Sequence, residues 1–210
     1  GATALKFLNS GQACISPNRL YVSEQHADAF TETMVDRVAR VTAGNGFTDG
    51  VGVGPLVNEA AVAKVEAQVD DAVNKGAAAL VGGHRLTDGE FAAGHFFAPT
   101  LLSGVTDSMT IYREETFGPV APIITYGSVE EVVALANDTE YGLAAYVYTN
   151  DISTAIRTAE GLRFGIIGVN DVNPTSASVP FGGMKDSGIG REGSHDGIEE
   201  YLETKSIGFA

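Results

Sequence analysis

The chain is poor in three things. It has one cysteine in 210 residues and 13 Lys and Arg against 27 Asp and Glu. It also has no apolar run near the ~20 residues that a membrane-spanning helix needs. A single cysteine makes no internal disulfide, which fits a reducing compartment, so a cytoplasmic location is expected. The formal charge of −14 weighs against nucleic acid and anionic membranes as partners, because a polyanion repels a polyanion. No basic-then-apolar leader opens the chain, so no export signal is expected. His26, His84, His95 and His195 are scattered and none pairs with a second His or Cys at ligand spacing, so no metal site is expected. Neither a Gly-x-Ser-x-Gly elbow nor a Gly-x-x-x-x-Gly-Lys phosphate loop is present.

What the chain does have is apolar content and glycine. At 44% apolar residues it is not disordered, and its length holds one domain with ample core. Glycine fills 26 positions, well above the usual ~7%, in a spacing too irregular for collagen or a linker.

Short β-type runs alternate with helical ones. Ala27, Phe30, Met34, Val38 and Val41 recur at the helical period within 24–42. The stripe Val62, Val65, Val69 and Val73 predicts a helix capped by Asn58 and ended at Gly76. Ser128 with Glu131 forms a capping box before 129–136, and a helix over 152–162 follows Asn150 or Asp151. Strands are expected at 18–23, 77–81, 96–102, 120–126, 143–149 (a buried one), 165–170 and 203–209. Residues 45–55 and 171–193 read as Gly-rich loops, and 1–9 and 194–201 as short helical pieces. This alternation predicts an α/β fold, a mostly parallel sheet with helices on both faces.

Three stretches could carry chemistry. Cys14 ends the turn Asn9-Ser10-Gly11-Gln12-Ala13-Cys14, where Gly11 lets the backbone bend sharply beside the thiol. A cysteine in such a turn can use its own N–H as an oxyanion donor. Glu114-Glu115-Thr116-Phe117-Gly118-Pro119 offers a carboxylate for sugar hydroxyls beside an aromatic ring for a flat ligand, although a solvated acidic loop would look the same. Gly188, Gly190 and Gly193 match G-x-G-x-x-G, but Lys185-Asp186-Ser187 before them makes no strand, so this is not a dinucleotide fingerprint.

Together these stretches resemble the aldehyde dehydrogenase superfamily, specifically the C-terminal part that carries the catalytic cysteine. The resemblance covers essentially the whole chain. It rests on Gly11-Gln12-Ala13-Cys14, the Glu114–Pro119 stretch, Asn137-Asp138-Thr139-Glu140-Tyr141-Gly142-Leu143, and Pro180-Phe181-Gly182-Gly183 with Lys185, Ser187, Gly188, Gly190, Arg191 and Glu192. Asn18-Arg19-Leu20-Tyr21-Val22 and Gly197-Ile198-Glu199-Glu200-Tyr201-Leu202-Glu203 look most like succinate-semialdehyde dehydrogenases.

The resemblance implies Cys14 as nucleophile toward an aldehyde, through a thiohemiacetal and a thioacyl enzyme, with NAD or NADP as cofactor. It implies Glu115 on the nicotinamide ribose and Phe117 near the nicotinamide. Ala13, Ile15, Pro174, Thr175 and Phe181 would line the aldehyde pocket. Residues 1–202 would form the catalytic domain and 203–210 the strand of an oligomerisation element, within a homo-dimer or tetramer. The family's general-base Glu, the Asn completing the oxyanion hole and the dinucleotide-binding domain would precede Gly1, so the isolated chain is expected to be inactive. Two positions depart from the succinate-semialdehyde pattern. Leu8 stands where an Arg can pair with the substrate carboxylate, and Ser16 stands where some relatives have a second Cys. Alternatives are a CoA-acylating relative and a non-catalytic interaction domain with a structural cysteine.

Overall fold

A strand with a proline in its centre organises the first part of the chain. In the computed structural model, which describes residues 1–210, contacts divide the chain into units 1–132 and 133–210. In chain order the first unit holds α1 (Ala2–Lys6), β1 (Leu20–Ser23), α2 (Ala27–Val38), α3 (Glu59–Asn74) and β2 (Ala78–Val81). There follow β3 (Arg85–Leu86), β4 (Phe96–Phe97), β5 (Thr100–Ser103), α4 (Thr110–Arg113) and β6 (Val120–Tyr126). The sheet order is β1-β6-β5-β2, with β6 parallel to both neighbours and β2 antiparallel at the edge. Pro122 lacks the N–H that an interior strand residue normally donates. It sits where β6 changes partner: Val120, Ala121 and Pro122 face β5, while Ile123 to Tyr126 face β1.

The period of two along the strands sends alternate side chains into two cores. Val120 and Ile124 of β6 and Leu102 of β5 meet Val62, Val65, Val69 and Ala72 of α3 and Ile111 and Tyr112 of α4. Ala121 and Ile123 of β6 and Leu101 of β5 meet Phe7, Leu20, Val22 and the α2 residues Met34 and Val38. Helices therefore cover both faces of a mostly parallel sheet, as the alternating pattern predicted.

Local signals set the ends of the helices. Asn58 Oδ1 accepts the Ala61 N–H at 2.9 Å to cap α3, and Gly76 takes φ +105° behind it. The stripe on α3 ends at Ala72, because a four-residue step to Val73 drifts off the buried face and leaves that side chain 44% exposed. The expected strand 96–102 is two strands, because Pro99 breaks it; β4 turns away to pair antiparallel with β3.

The second unit begins inside α5 (Val129–Asn137), which starts in the first. Ser128 Oγ accepts the Glu131 N–H at 3.1 Å as the capping box requires. There follow β7 (Ala144–Val147), α6 (Ile152–Gly161), β8 (Ile166–Val169) and α7 (Asp196–Glu199). β7 and β8 form a parallel pair of their own, so β7 is half-buried instead of fully buried as expected. The expected last strand, 203–209, has no regular structure and is exposed, because nothing within the chain pairs with it. No helix is long and apolar enough to cross a membrane.

Candidate active site

Three successive residues, Asn9 (φ 48°), Ser10 (φ 60°) and Gly11 (φ 75°), hold left-handed backbone conformations just after α1. Two of them carry side chains, so the turn stores strain that its surroundings must hold in place. Side chains of the same turn do so. Ser10 Oγ donates to Gly54 O at 3.1 Å and accepts from Gly54 N–H at 2.8 Å. Gln12 Oε1 accepts the Val57 N–H at 2.9 Å, and its Nε2 donates to Pro55 O at 3.3 Å. The end of the Gly-rich loop 45–55 is thus a clasp on the cysteine turn. Cys14 emerges from this turn exposed, between the half-buried Ala13 and Ile15.

The acidic loop lies directly against the same turn. A Cβ placed on Gly11 would sit 2.1 Å from Gly118 O, so the two backbones touch with no room for a side chain. Gly118 is equally confined, its absent Cβ falling 2.6 Å from Val65 Cγ2 of α3. Phe117 is also left-handed (φ 51°) and 38% exposed, while Glu115 is half-buried beside it. The structure therefore brings Ala13, Cys14, Ile15, Glu115 and Phe117, five residues expected from sequence, onto two abutting loops of one unit.

Pro174, Thr175 and Phe181 belong to the second unit. Pro174 is half-buried against Gly168 of β8, whose absent Cβ would lie 3.3 Å from Pro174 Cγ. Thr175 Oγ1 donates to Asn173 Oδ1 at 2.8 Å. Phe181 pairs with Glu192 in an antiparallel bridge, N–H to O at 2.8 Å and 2.7 Å. The motif residues around it are structural. Lys185 Nζ donates to Thr139 O at 2.8 Å, Arg191 Nη1 to Gly183 O and Gly190 O at 2.8 Å each, and Ser187 Oγ accepts the Gly142 N–H at 3.0 Å.

Sequence reasoning missed Lys6. It ends α1 with 0% exposure, and its ammonium has no hydrogen-bond partner in the protein. Burial drives its pKa down to about 7, partly opposed by the Glu115 charge. The available signal was a lysine set between Leu5 and Phe7, two residues that the core takes in.

Residues 1–207 match the aldehyde dehydrogenase family. The chain belongs to that family. It is 50% identical over 204 residues to the non-phosphorylating aspartate-semialdehyde dehydrogenase of Halomonas elongata, covering 97% of this chain and 41% of that protein. It is 47% identical over 205 residues to the NADP(+) succinate-semialdehyde dehydrogenase of Escherichia coli K12, covering 98% and 42%. Among solved aldehyde dehydrogenases, the succinate-semialdehyde dehydrogenase of Burkholderia pseudomallei superposes with a TM-score of 0.91 at 48% identity, over 95% of this chain and 41% of that one. The betaine aldehyde dehydrogenase of Staphylococcus aureus in complex with NAD+ gives 0.91 at 38% identity, over 97% and 41%. The chain thus spans about two fifths of the length of these relatives.

Proposed function

We propose that these 210 residues are the nucleophile-bearing part of an NAD(P)-dependent enzyme that oxidises a semialdehyde to the acid. The observation that carries this reading is the backbone contact between Gly11 and Gly118, which sets an exposed cysteine beside a carboxylate and an exposed aromatic ring. An exposed thiol on a strained, clasped turn is a poor structural cysteine and a good nucleophile position.

Cys14 thiolate adds to the aldehyde carbon, and the resulting alkoxide takes a hydrogen bond from the Cys14 N–H. A nicotinamide cofactor, when bound, supplies the acceptor for the hydride that leaves that carbon. Loss of the hydride leaves a thioester on Cys14. Water adds to it, the C–S bond breaks, and the carboxylate departs as the thiol is restored. The residues present fit such a cofactor. Glu115 has a carboxylate for ribose hydroxyls, and Phe117 has an open ring face for the nicotinamide. Ala13 and Ile15 flank the thiol on the aldehyde side in this reading. Leu8 in place of an arginine argues for a semialdehyde whose acid group is gripped elsewhere.

The isolated chain turns nothing over, since its relatives are more than twice as long. Ile207 and Phe209, 67% and 94% exposed, suit the segment 203–210 to pairing with a second copy. The test is aldehyde-dependent reduction of NAD+ or NADP+ by the complete enzyme, with and without Cys14→Ala. Loss of the steady rate, together with loss of iodoacetamide labelling, is expected. A Cys14→Ala enzyme that keeps its rate overturns the reading, and a requirement for CoA would replace water with a thiol in the last step.

A further inference from the structure

One peptide unit of the acidic loop, joining Glu115 to Thr116, is gripped by side chains at both of its polar ends. Its C=O, on Glu115, takes a hydrogen bond from Gln68 Nε2 of α3 at 3.5 Å. Its N–H, on Thr116, donates to Asn18 Oδ1 at 3.3 Å. Thr116 is 2% exposed, so this N–H has no ready access to water. The next residue, Phe117, is held at a left-handed φ of 51°, which a side-chain-bearing residue keeps only where its surroundings enforce it.

Asn18 is itself held from both sides. Two residues earlier, the Ser16 N–H donates to Ala13 O at 2.9 Å, and Ser16 Oγ donates to Lys6 O at 3.1 Å. Pro17 fixes φ between them. One residue later, the Arg19 guanidinium lies 5.5 Å and 5.3 Å from the ring centres of Tyr21 and Tyr112 and donates to the Tyr21 hydroxyl at 2.9 Å. Leu20 then enters β1 opposite Ile123. Asn18 therefore stands on a short, fixed connector, four residues beyond Cys14.

We propose that Asn18 is a positioning residue: by holding the Thr116 N–H it keeps Glu115 and Phe117 in register with Cys14. The cofactor then meets a loop that is already ordered and loses no affinity to ordering it. This rests on the reading of Glu115 and Phe117 as cofactor residues. Asn18 itself touches neither cofactor nor aldehyde in this scheme. An asparagine that only satisfied a buried N–H would affect stability and stop there, whereas a positioning residue also sets cofactor affinity.

The test uses the complete enzyme and titrates it with NADH or NADPH, whichever it binds, by fluorescence. The Tm and the rate of Cys14 alkylation by iodoacetamide are measured beside each Kd. Asn18→Leu, similar in size but without the acceptor, is expected to weaken cofactor binding about tenfold, the scale of one lost hydrogen bond. Asn18→Asp, which keeps an acceptor oxygen, is expected to bind within about threefold of the parent. Both should keep the parent's rate of Cys14 alkylation. Glu115→Gln is expected to weaken binding about tenfold or more, and adding Asn18→Leu to it should fall well short of the product of the two singles. Asn18→Leu with a parental Kd overturns the proposal, even if its Tm falls. So do equal Kd values for Asn18→Leu and Asn18→Asp, a double variant that reaches the full product, or a changed alkylation rate in Asn18→Leu. If Asn18→Leu does not fold, Asn18→Ala, too short to reach the Thr116 N–H, carries the same comparison. A silent Glu115→Gln overturns the cofactor reading itself, and the role of Asn18 falls with it; an effective Glu115→Gln beside a silent Asn18→Leu overturns the role of Asn18 alone.

Discussion

Lys6 and Lys185 answer the same problem in opposite ways. Lys185, in the second unit, is half-buried; its ammonium donates to Thr139 O at 2.8 Å and Asn137 O at 3.4 Å and lies 5.2 Å from the centre of the Phe164 ring. Lys6, in the first, is fully buried and donates to nothing in the protein. One lysine staples two loops through their carbonyls; the other is buried without such bonds, and burial favours its neutral amine. The difference shows how a cation is used in each place. Where a loop is held, the ammonium is kept by hydrogen bonds to carbonyls; where burial offers none, the proton is held less tightly.

The largest test of the contrast is at the glycines. Gly11→Ala would put a Cβ 2.1 Å from Gly118 O at a φ of 75°. Left-handed strain and overpacking together should cost about 3–5 kcal/mol in urea unfolding. Gly165→Ala, whose Cβ would fall 2.0 Å from Gly182 O, should cost slightly less because its φ is ordinary. The functional outcomes should part company. Gly11→Ala should change the rate of Cys14 alkylation, and Gly165→Ala should leave it alone. Equal effects on the thiol from both would erase the distinction between a nucleophile loop and a stapled one.

Much of this contrast was legible in the sequence. The helix caps at Asn58 and Ser128 are local chemistry, and the loops around Gly11 and Gly118 are announced by their own motifs. The strand 203–209 was not legible as loop, since alternation says only that a segment suits a sheet, and pairing needs a partner that this chain does not supply. Lys6 was hidden for the opposite reason. A lysine at the end of a short helix ordinarily faces water, and nothing local reveals that Leu5 and Phe7 draw it inward on both sides. Pro122 misleads in the same manner, because its tolerance depends on where β6 exchanges one neighbour for another.

The next effect is one of pH. Burial lowers the Lys6 pKa from the usual 10.5 to about 7 in the folded chain. Between those values the unfolded chain holds a proton that the folded chain has shed, so stability rises with pH. The slope approaches ~1.4 kcal/mol per pH unit, or about 2–3 kcal/mol from pH 7 to 9. Tyr21, whose hydroxyl is pushed up mainly by burial, stays protonated in both states across that window and adds no slope there. Denaturant unfolding of the parent and of Lys6→Met at several pH values measures this. The slope should vanish in Lys6→Met, and a slope kept in that variant would show that some other group produces it. Lys185→Met should instead lose about 2 kcal/mol through its missing bonds to carbonyls. A Lys185→Met chain as stable as the parent would mean that the staple holds nothing.

The smallest effects are at the helix caps, and they sharpen the comparison because the caps look alike. Asn58 Oδ1 holds the Ala61 N–H at 2.9 Å, and Asp151 Oδ2 holds the Thr154 N–H at 2.7 Å. Asn58→Ala should cost about 1 kcal/mol. Asp151→Ala should also destabilise, but with a pH dependence. The side chain and N–H of Thr154 hold the Asp151 carboxyl below its usual 3.8, so its contribution is present above that value and fades as the pH falls through the lowered one. The loops should respond differently. α3 carries Val65 against Gly118 and Gln68 against Glu115, so loosening its first turn should speed amide exchange over residues 114–118. The path from α6 to the 181–192 loop starts instead at its last turn, where Asn137 Nδ2 donates to Gly161 O at 2.8 Å and Lys185 Nζ donates to Asn137 O at 3.4 Å, so a loosened first turn should leave exchange in that loop as slow in Asp151→Ala as in the parent. If both caps loosened their loops equally, the candidate site would be tied to its helix no more closely than the stapled loop is to its own.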